Sequence, residues 1–173
     1  MTEQTRLSRR TALKVAGAGL IVAGTGAGGM VFGLNKSWAM EAVNIDADTF
    51  ATLVQMSRDT YPHDRLEDKF YASAVSALDG AAKDDGDLKK MLMDGVAALN
   101  KAAGGDYRGL KEAEARVGVL KGMESDAFFQ KIRGNLVTGL YNNKEAWPLF
   151  GYPGASADQG GYIERGFNDI NWL

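Results

Sequence analysis

Asp46-Ala47-Asp48-Thr49-Phe50-Ala51-Thr52-Leu53-Val54-Gln55-Met56-Ser57-Arg58-Asp59-Thr60 sets the class of this chain. Phe50, Leu53, Val54 and Ser57 fall at i, i+3, i+4 and i+7, the spacing that places four side chains on one face of a helix. Asp46 or Asp48 stands where a carboxylate accepts from the first-turn N–H groups. Tyr61-Pro62-His63-Asp64 then ends the run. Proline disfavours helical geometry at the residue before it and suits the first turn of the next helix.

The same period recurs downstream. A second helix is expected over about residues 64–78, with Phe70, Tyr71, Ala74, Val75 and Leu78 as its apolar face, and Asp79-Gly80 and Lys83-Asp84-Asp85-Gly86 interrupt the pattern. A third follows, with Leu88, Met91, Leu92, Val96 and Leu99 on one side. Ala102-Ala103-Gly104-Gly105-Asp106 reads as a loop. A fourth helix, over about residues 109–121, carries Leu110, Ala113, Val117 and Leu120. A fifth begins near Ser125 as N-cap and carries Phe128, Phe129, Ile132, Leu136 and Leu140. No stretch alternates apolar and polar residues, and no hairpin turn joins β-rich runs. The expected class is all-α, a bundle of about five helices around one core.

Both ends depart from this pattern. Residues 143–173 are rich in glycine and aromatic residues at once, without helical period. Aromatic rings bring large contact area at low rotamer cost, and glycines let the backbone follow a surface closely. The segment reads as an irregular strap laid over the protein's own core or over a partner. The two readings stay open residue by residue. The expected organisation is a leader over 1–39, a helical domain over 40–142 and the strap over 143–173.

The leader carries Ser8-Arg9-Arg10-Thr11-Ala12-Leu13-Lys14 ahead of a weakly apolar stretch, residues 15–34. That order is the pattern of a twin-arginine (Tat) export signal, except that Ala12 stands where phenylalanine is usual. Basic start, apolar middle and Ser37-Trp38-Ala39 before a cut at Met40 are the three parts of a signal peptide. Arg9 and Arg10 are the expected translocase contacts. The competing reading is an uncleaved membrane tether, because twenty residues suffice to span a bilayer. Seven of those twenty are glycine, which contributes little apolar area. Gly24-Thr25-Gly26-Ala27-Gly28-Gly29 fits a dinucleotide fingerprint, but lacks the strand–turn–helix setting that would give the match meaning.

Composition narrows the chemistry. The chain has no cysteine and one histidine, His63. Thiolate zinc sites, cysteine-ligated clusters, covalent c-type haem and bis-histidine haem therefore lie outside what this polypeptide alone can build. The net charge of −2 includes a basic leader, so the remainder is more acidic still, a poor match for nucleic acid. Asp84, Asp85 and Asp87 do not follow the ligand spacing of an EF-hand and read as a solvated turn. Lys89-Lys90 and residues 116–121 read as exposed helix faces. No cofactor is expected in this chain.

Several motifs carry a resemblance. Tyr61-Pro62-His63-Asp64, Tyr141-Asn142-Asn143 with Trp147, Phe150-Gly151-Tyr152 with Gly154 and Ser156, and Gly160-Gly161-Tyr162 with Arg165-Gly166-Phe167, Asp169-Ile170 and Trp172 together resemble the gluconate 2-dehydrogenase subunit 3 family. The resemblance implies a non-catalytic small subunit. Its partner would be an FAD-dependent large subunit of the glucose–methanol–choline type that oxidises a sugar or polyol and passes electrons to a c-type cytochrome. The small subunit would support folding of that flavoprotein and lend it the Tat signal, so that the folded pair reaches the periplasm. Expected partner-binding residues are His63, Trp147, Phe150, Tyr152, Tyr162, Arg165, Phe167 and Trp172. The alternative is an independent periplasmic binding or scaffold protein. His63, in a Pro-His-Asp corner, is read as a helix-end or interface residue ahead of an independent acid–base role.

Overall fold

The computed structural model describes residues 42–164, 166 and 167. The expected leader with Arg9 and Arg10, and also Arg165 and Trp172, lie outside the described residues. Five α-helices form the body: α1 (Ala47–Thr60), α2 (Asp68–Ala81), α3 (Gly86–Ala102), α4 (Ala113–Gly122) and α5 (Ala127–Gly139). Two short 3-10 turns follow, Trp147–Phe150 and Ser156–Gln159. Among the described residues there is no strand, and the all-α class expected from the periodicity is what the chain forms.

α1 is the central element and packs against each of the other four helices. Asp46 caps it, accepting from the Thr49 N–H at 2.8 Å and from the Thr49 hydroxyl at 2.7 Å. Phe50, Leu53, Val54 and Ser57 are buried as their spacing predicts, but so are Ala51, Thr52 and Met56. A helix covered this far round must satisfy its hydroxyls internally. Thr52, Ser57 and Thr60 donate to the carbonyls of Asp48, Leu53 and Met56, each one turn back, at 2.7–2.8 Å.

The polar end of α1 organises α4. Asp59 accepts from the Tyr107 hydroxyl and from Arg116 Nε, both at 2.8 Å, and from the Gln55 amide at 3.1 Å. Tyr107 is fully buried, and burial together with the nearby Asp59 charge pushes its phenol well above its ordinary pKa, so it remains a donor. Arg116 also holds the Leu110 carbonyl at 2.6 Å. This corrects three expectations. α4 begins at Ala113 rather than near residue 109, and of its expected apolar face only Leu120 is buried, with Val117 half-buried and Ala113 exposed. Arg116, expected on an exposed face, has a side chain only 15% exposed and reaches inward to α1.

Three further boundaries differ. α2 starts at Asp68, not near residue 64, because residues 63–66 form a turn closed by the Leu66 N–H on the His63 carbonyl at 3.1 Å. Arg58 fixes that turn by donating to the Leu66 carbonyl and the Asp68 carboxylate. The N-cap of α5 is Asp126 rather than Ser125. Asp79-Gly80 does not interrupt α2, which runs on to Ala81. Asp79 is buried and its carboxylate accepts the backbone N–H groups of Val43, Asn44 and Ile45 at 2.8–3.0 Å, while the Asn44 amide donates to the Asp79 carbonyl. The acid that looked like a helix breaker is the anchor for the incoming chain.

On α3, Leu88, Leu92, Val96 and Leu99 are buried as expected, whereas Met91 is exposed. The core side is completed by Gly95, where any Cβ would run into the ring of Phe128 on α5. Gly104 and Gly105, with φ of 83° and 132°, turn the chain out of α3 in a conformation that side-chain-bearing residues resist. On α5, Phe128, Phe129, Ile132, Leu136 and the capping Leu140 are all buried, and Asn135 donates to the Ala74 carbonyl of α2 at 2.8 Å.

Asp59→Ala strands Arg116 and Tyr107 without their acceptor, and is expected to destabilise the fold by about 3–5 kcal/mol in urea unfolding. For Asp79, burial alone would raise the pKa, but three backbone N–H donors outweigh it and hold the carboxyl below the ordinary value. Its stabilising contribution is therefore full above the unfolded-state pKa of about 3.9 and is lost as pH falls through the lower folded-state value. The Tm gap between the wild type and Asp79→Asn should be widest near neutrality and close as the pH falls below the ordinary carboxylate value. A gap independent of pH would contradict the assignment.

Candidate functional site: an aromatic platform beside His63

The site is assembled where the α1–α2 link meets the end of α5. Tyr71, fully buried on α2, donates its hydroxyl to the Tyr61 carbonyl at 2.7 Å and accepts the His63 N–H at 3.2 Å. One buried phenol thus fixes the backbone on both sides of exposed Pro62. Burial raises the Tyr71 pKa, which keeps the hydroxyl protonated for this double role.

With its backbone set, the His63 ring lies against the end of α5. His63 Nε2 and the Tyr141 hydroxyl form a 2.8 Å hydrogen bond. The imidazole stands edge-on to Tyr141 and to Phe150, with centroids 5.6 and 5.1 Å apart. Tyr61 meets Tyr141 edge-on at 5.7 Å, and Tyr141 leans on Phe150 at 5.6 Å. These separations are those of favourable aromatic pairs. The imidazole is bonded to Tyr141 rather than to neighbouring Asp64. Burial raises the pKa of the Tyr141 phenol, so it is neutral at physiological pH.

The strap continues from this cluster. Ala146 is fully buried and Leu149 packs against the core, so the 3-10 turn Trp147–Phe150 is seated rather than loose. Trp147 Nε1 donates to the Tyr141 carbonyl at 2.9 Å, and its ring meets Tyr152 edge-on at 5.1 Å. Gly151, with φ of 74°, makes the reversal that returns Tyr152 to the Trp147 ring, its N–H donating to the Trp147 carbonyl. The Lys144 ammonium sits over the Trp147 ring, 5.8 Å from its centroid.

The structure therefore brings four of the sequence-expected residues, His63, Trp147, Phe150 and Tyr152, into one platform. Tyr162 and Phe167 stand further out, 61% and 77% exposed, with Ile163 at 86%. Phe150 and Tyr152 keep 38% and 46% of their surface in solvent despite their ring contacts. Tyr71 and Tyr141, which hold the platform together, were missing from the expected set. Helical spacing marks Tyr71 only as an apolar face residue, although a fully buried phenol requires a hydrogen-bond partner. Among the described residues, no three His, Asp or Glu side chains are grouped as metal ligands, and no helix is long and apolar enough to cross a membrane. Chemically the platform offers exposed ring faces and edges on a rigid base, the composition of a protein-binding hot spot.

Comparison with known proteins finds no matching family model, no matching curated protein and no matching solved structure.

If His63 and Tyr141 pin the strap, His63→Ala should speed amide exchange in peptides covering residues 143–152 by about tenfold, with α3 peptides unchanged. Hydrogen-exchange mass spectrometry reads both in one experiment. Equal exchange in the mutant and wild type would show that the seat of the strap lies elsewhere.

Proposed function

We propose that this chain is the non-catalytic small subunit of a periplasmic FAD-dependent sugar or polyol dehydrogenase, of the gluconate 2-dehydrogenase type. It supports folding of the flavoprotein large subunit and carries it through the Tat pathway. The large subunit supplies FAD and the oxidation chemistry, and a c-type cytochrome receives the electrons. The observation that carries the reading is the platform itself: aromatic side chains half in solvent, on a strap whose base is seated by Ala146, Leu149 and the His63–Tyr141 bond. A pre-ordered strap loses little conformational entropy on binding, so its exposed rings contribute to affinity directly.

The leader supports the same reading. A folded-cargo signal on a chain whose own residues offer no thiolate and a single imidazole suits a partner that acquires its prosthetic group before export. Tyr162 and Phe167 extend the contact surface beyond the platform, and Arg165 and Trp172 belong to the same proposed interface.

The test is capture of the tagged full-length chain from its native host, followed by an absorbance spectrum. A co-eluting larger chain with bound flavin is expected. Phe150→Asp combined with Tyr152→Asp should lower flavin per tagged chain at least about thirtyfold, since truncated hot spots cost about 2 kcal/mol or more each. Arg9→Lys with Arg10→Lys should leave both chains in the cytoplasm. A monomeric, flavin-free preparation from the native host would overturn the proposal and favour an independent scaffold protein.

A further inference from the structure

α4 is built differently from the other helices. α1, α2, α3 and α5 each bury four or more residues, whereas α4 buries Leu120 alone, with Val117 and Val119 half-covered. It is ten residues long, shorter than a helix that persists by itself in water. The Glu112 side chain makes no cap to its first turn. Gly118 lies in its interior, where a Cβ would meet nothing within 4 Å. Nor does it have the positive φ that calls for glycine in the links. No packing or backbone demand accounts for this residue, and it weakens the helix about fivefold in equilibrium constant relative to alanine.

What holds α4 is polar. It packs on α1 and α3. Arg116 Nε reaches Asp59 at 2.8 Å, and the same guanidinium holds the Leu110 carbonyl at 2.6 Å. The chain on either side is fastened independently. The Tyr107 N–H donates to Asn100 Oδ1 at 3.0 Å and its hydroxyl to Asp59 at 2.8 Å. Arg108 pairs with Asp48 at the start of α1. Beyond the helix, Met123 is buried. These fixed points bracket residues 110–122. When α4 moves off, Asp59 keeps Tyr107 and Gln55 as donors, and water reaches both Asp59 and the released Arg116. Opening therefore strands no buried charge, which is the feature that makes deleting one partner so costly.

We propose that residues 110–122 form a releasable helix. They leave α1 and α3 as one unit while the other four helices stay folded, and the Arg116–Asp59 pair is the latch. Elements that move in a folded protein are drawn from its least stable parts. Here the weakness is local to α4: one buried side chain, no side-chain cap and an interior glycine without a structural demand. The surface of α1 and α3 beneath it thus has a closed and an open form.

Hydrogen-exchange mass spectrometry of the full-length chain, in urea below the unfolding transition, tests the device. Amides of α4 should exchange at least about tenfold faster than those of α1 and α5, and should respond less to urea, because a local opening exposes less surface than global unfolding. Gly118→Ala should slow α4 exchange about fivefold. Arg116→Met should leave α4 with the exchange of an unstructured segment, while α1 and α5 stay protected and the body still unfolds in one urea transition. Arg116→Lys, which keeps the charge, should fall between the two. Three results would each overturn the proposal: α4 sharing the rate and urea response of α1 and α5, no slowing in Gly118→Ala, or loss of protection throughout the body in Arg116→Met.

Discussion

A helix packed against four others has little water on its covered faces to satisfy the polar groups there, and α1 is arranged under that constraint. The hydroxyls of Thr52, Ser57 and Thr60 turn back onto its own carbonyls, and that of Thr49 onto the capping Asp46 carboxylate. Its terminal carboxylate, Asp59, cannot do so and collects donors from elsewhere: Tyr107 from the α3–α4 link, Arg116 from α4, and Gln55 one turn earlier. α4 has little apolar surface to bury, with Leu120 its only buried side chain, so its position depends on that ion pair more than on packing. An enclosed pair of this kind adds little net stability over a well-packed apolar alternative, yet it is severe on any partner that is lost. It sets where α4 lies rather than how tightly the body as a whole is held.

The same logic extends to the strap. Tyr71 satisfies its buried hydroxyl with the backbone on both sides of Pro62, and this brings His63 to Tyr141. From there the residues that follow α5 divide into those that complete the core and those that do not. Ala146 and Leu149 go inward, Trp147 and Tyr141 mediate, and Phe150 and Tyr152 remain half outside. Burial of the strap is graded along the chain. The first turn of the strap is part of the body, and exposure rises toward Tyr162, Ile163 and Phe167.

How much of this was readable beforehand follows from the physics of each signal. Helical period reports which face is apolar, so α1, α3 and α5 were found with their principal core residues. Period is blind to contacts made by polar side chains over long sequence distance. Asp79 was read as punctuation because Asp-Gly usually is, yet its partners are Val43 to Ile45, some 35 residues earlier. Arg116 was placed on the surface because charged residues usually are, and its acceptor is 57 residues away. Helical spacing places Met91 on one face with Leu88 and Leu92, yet it is exposed, whereas Gly95 is buried because the Phe128 ring occupies the space a side chain would need. His63, Trp147, Phe150 and Tyr152 were singled out for their residue types, but nothing in the sequence showed that one phenol, Tyr141, would join them.

The grip of Asp79 on the entering chain has an evolutionary corollary. It recognises main-chain N–H groups, so it is indifferent to most side chains borne by the residues it holds. Val43, 82% exposed, is free to drift to nearly any identity without loosening the hold. Proline is the exception, because it brings no hydrogen to share. The segment entering α1 can therefore vary in composition while the body's first fixed point stays where it is.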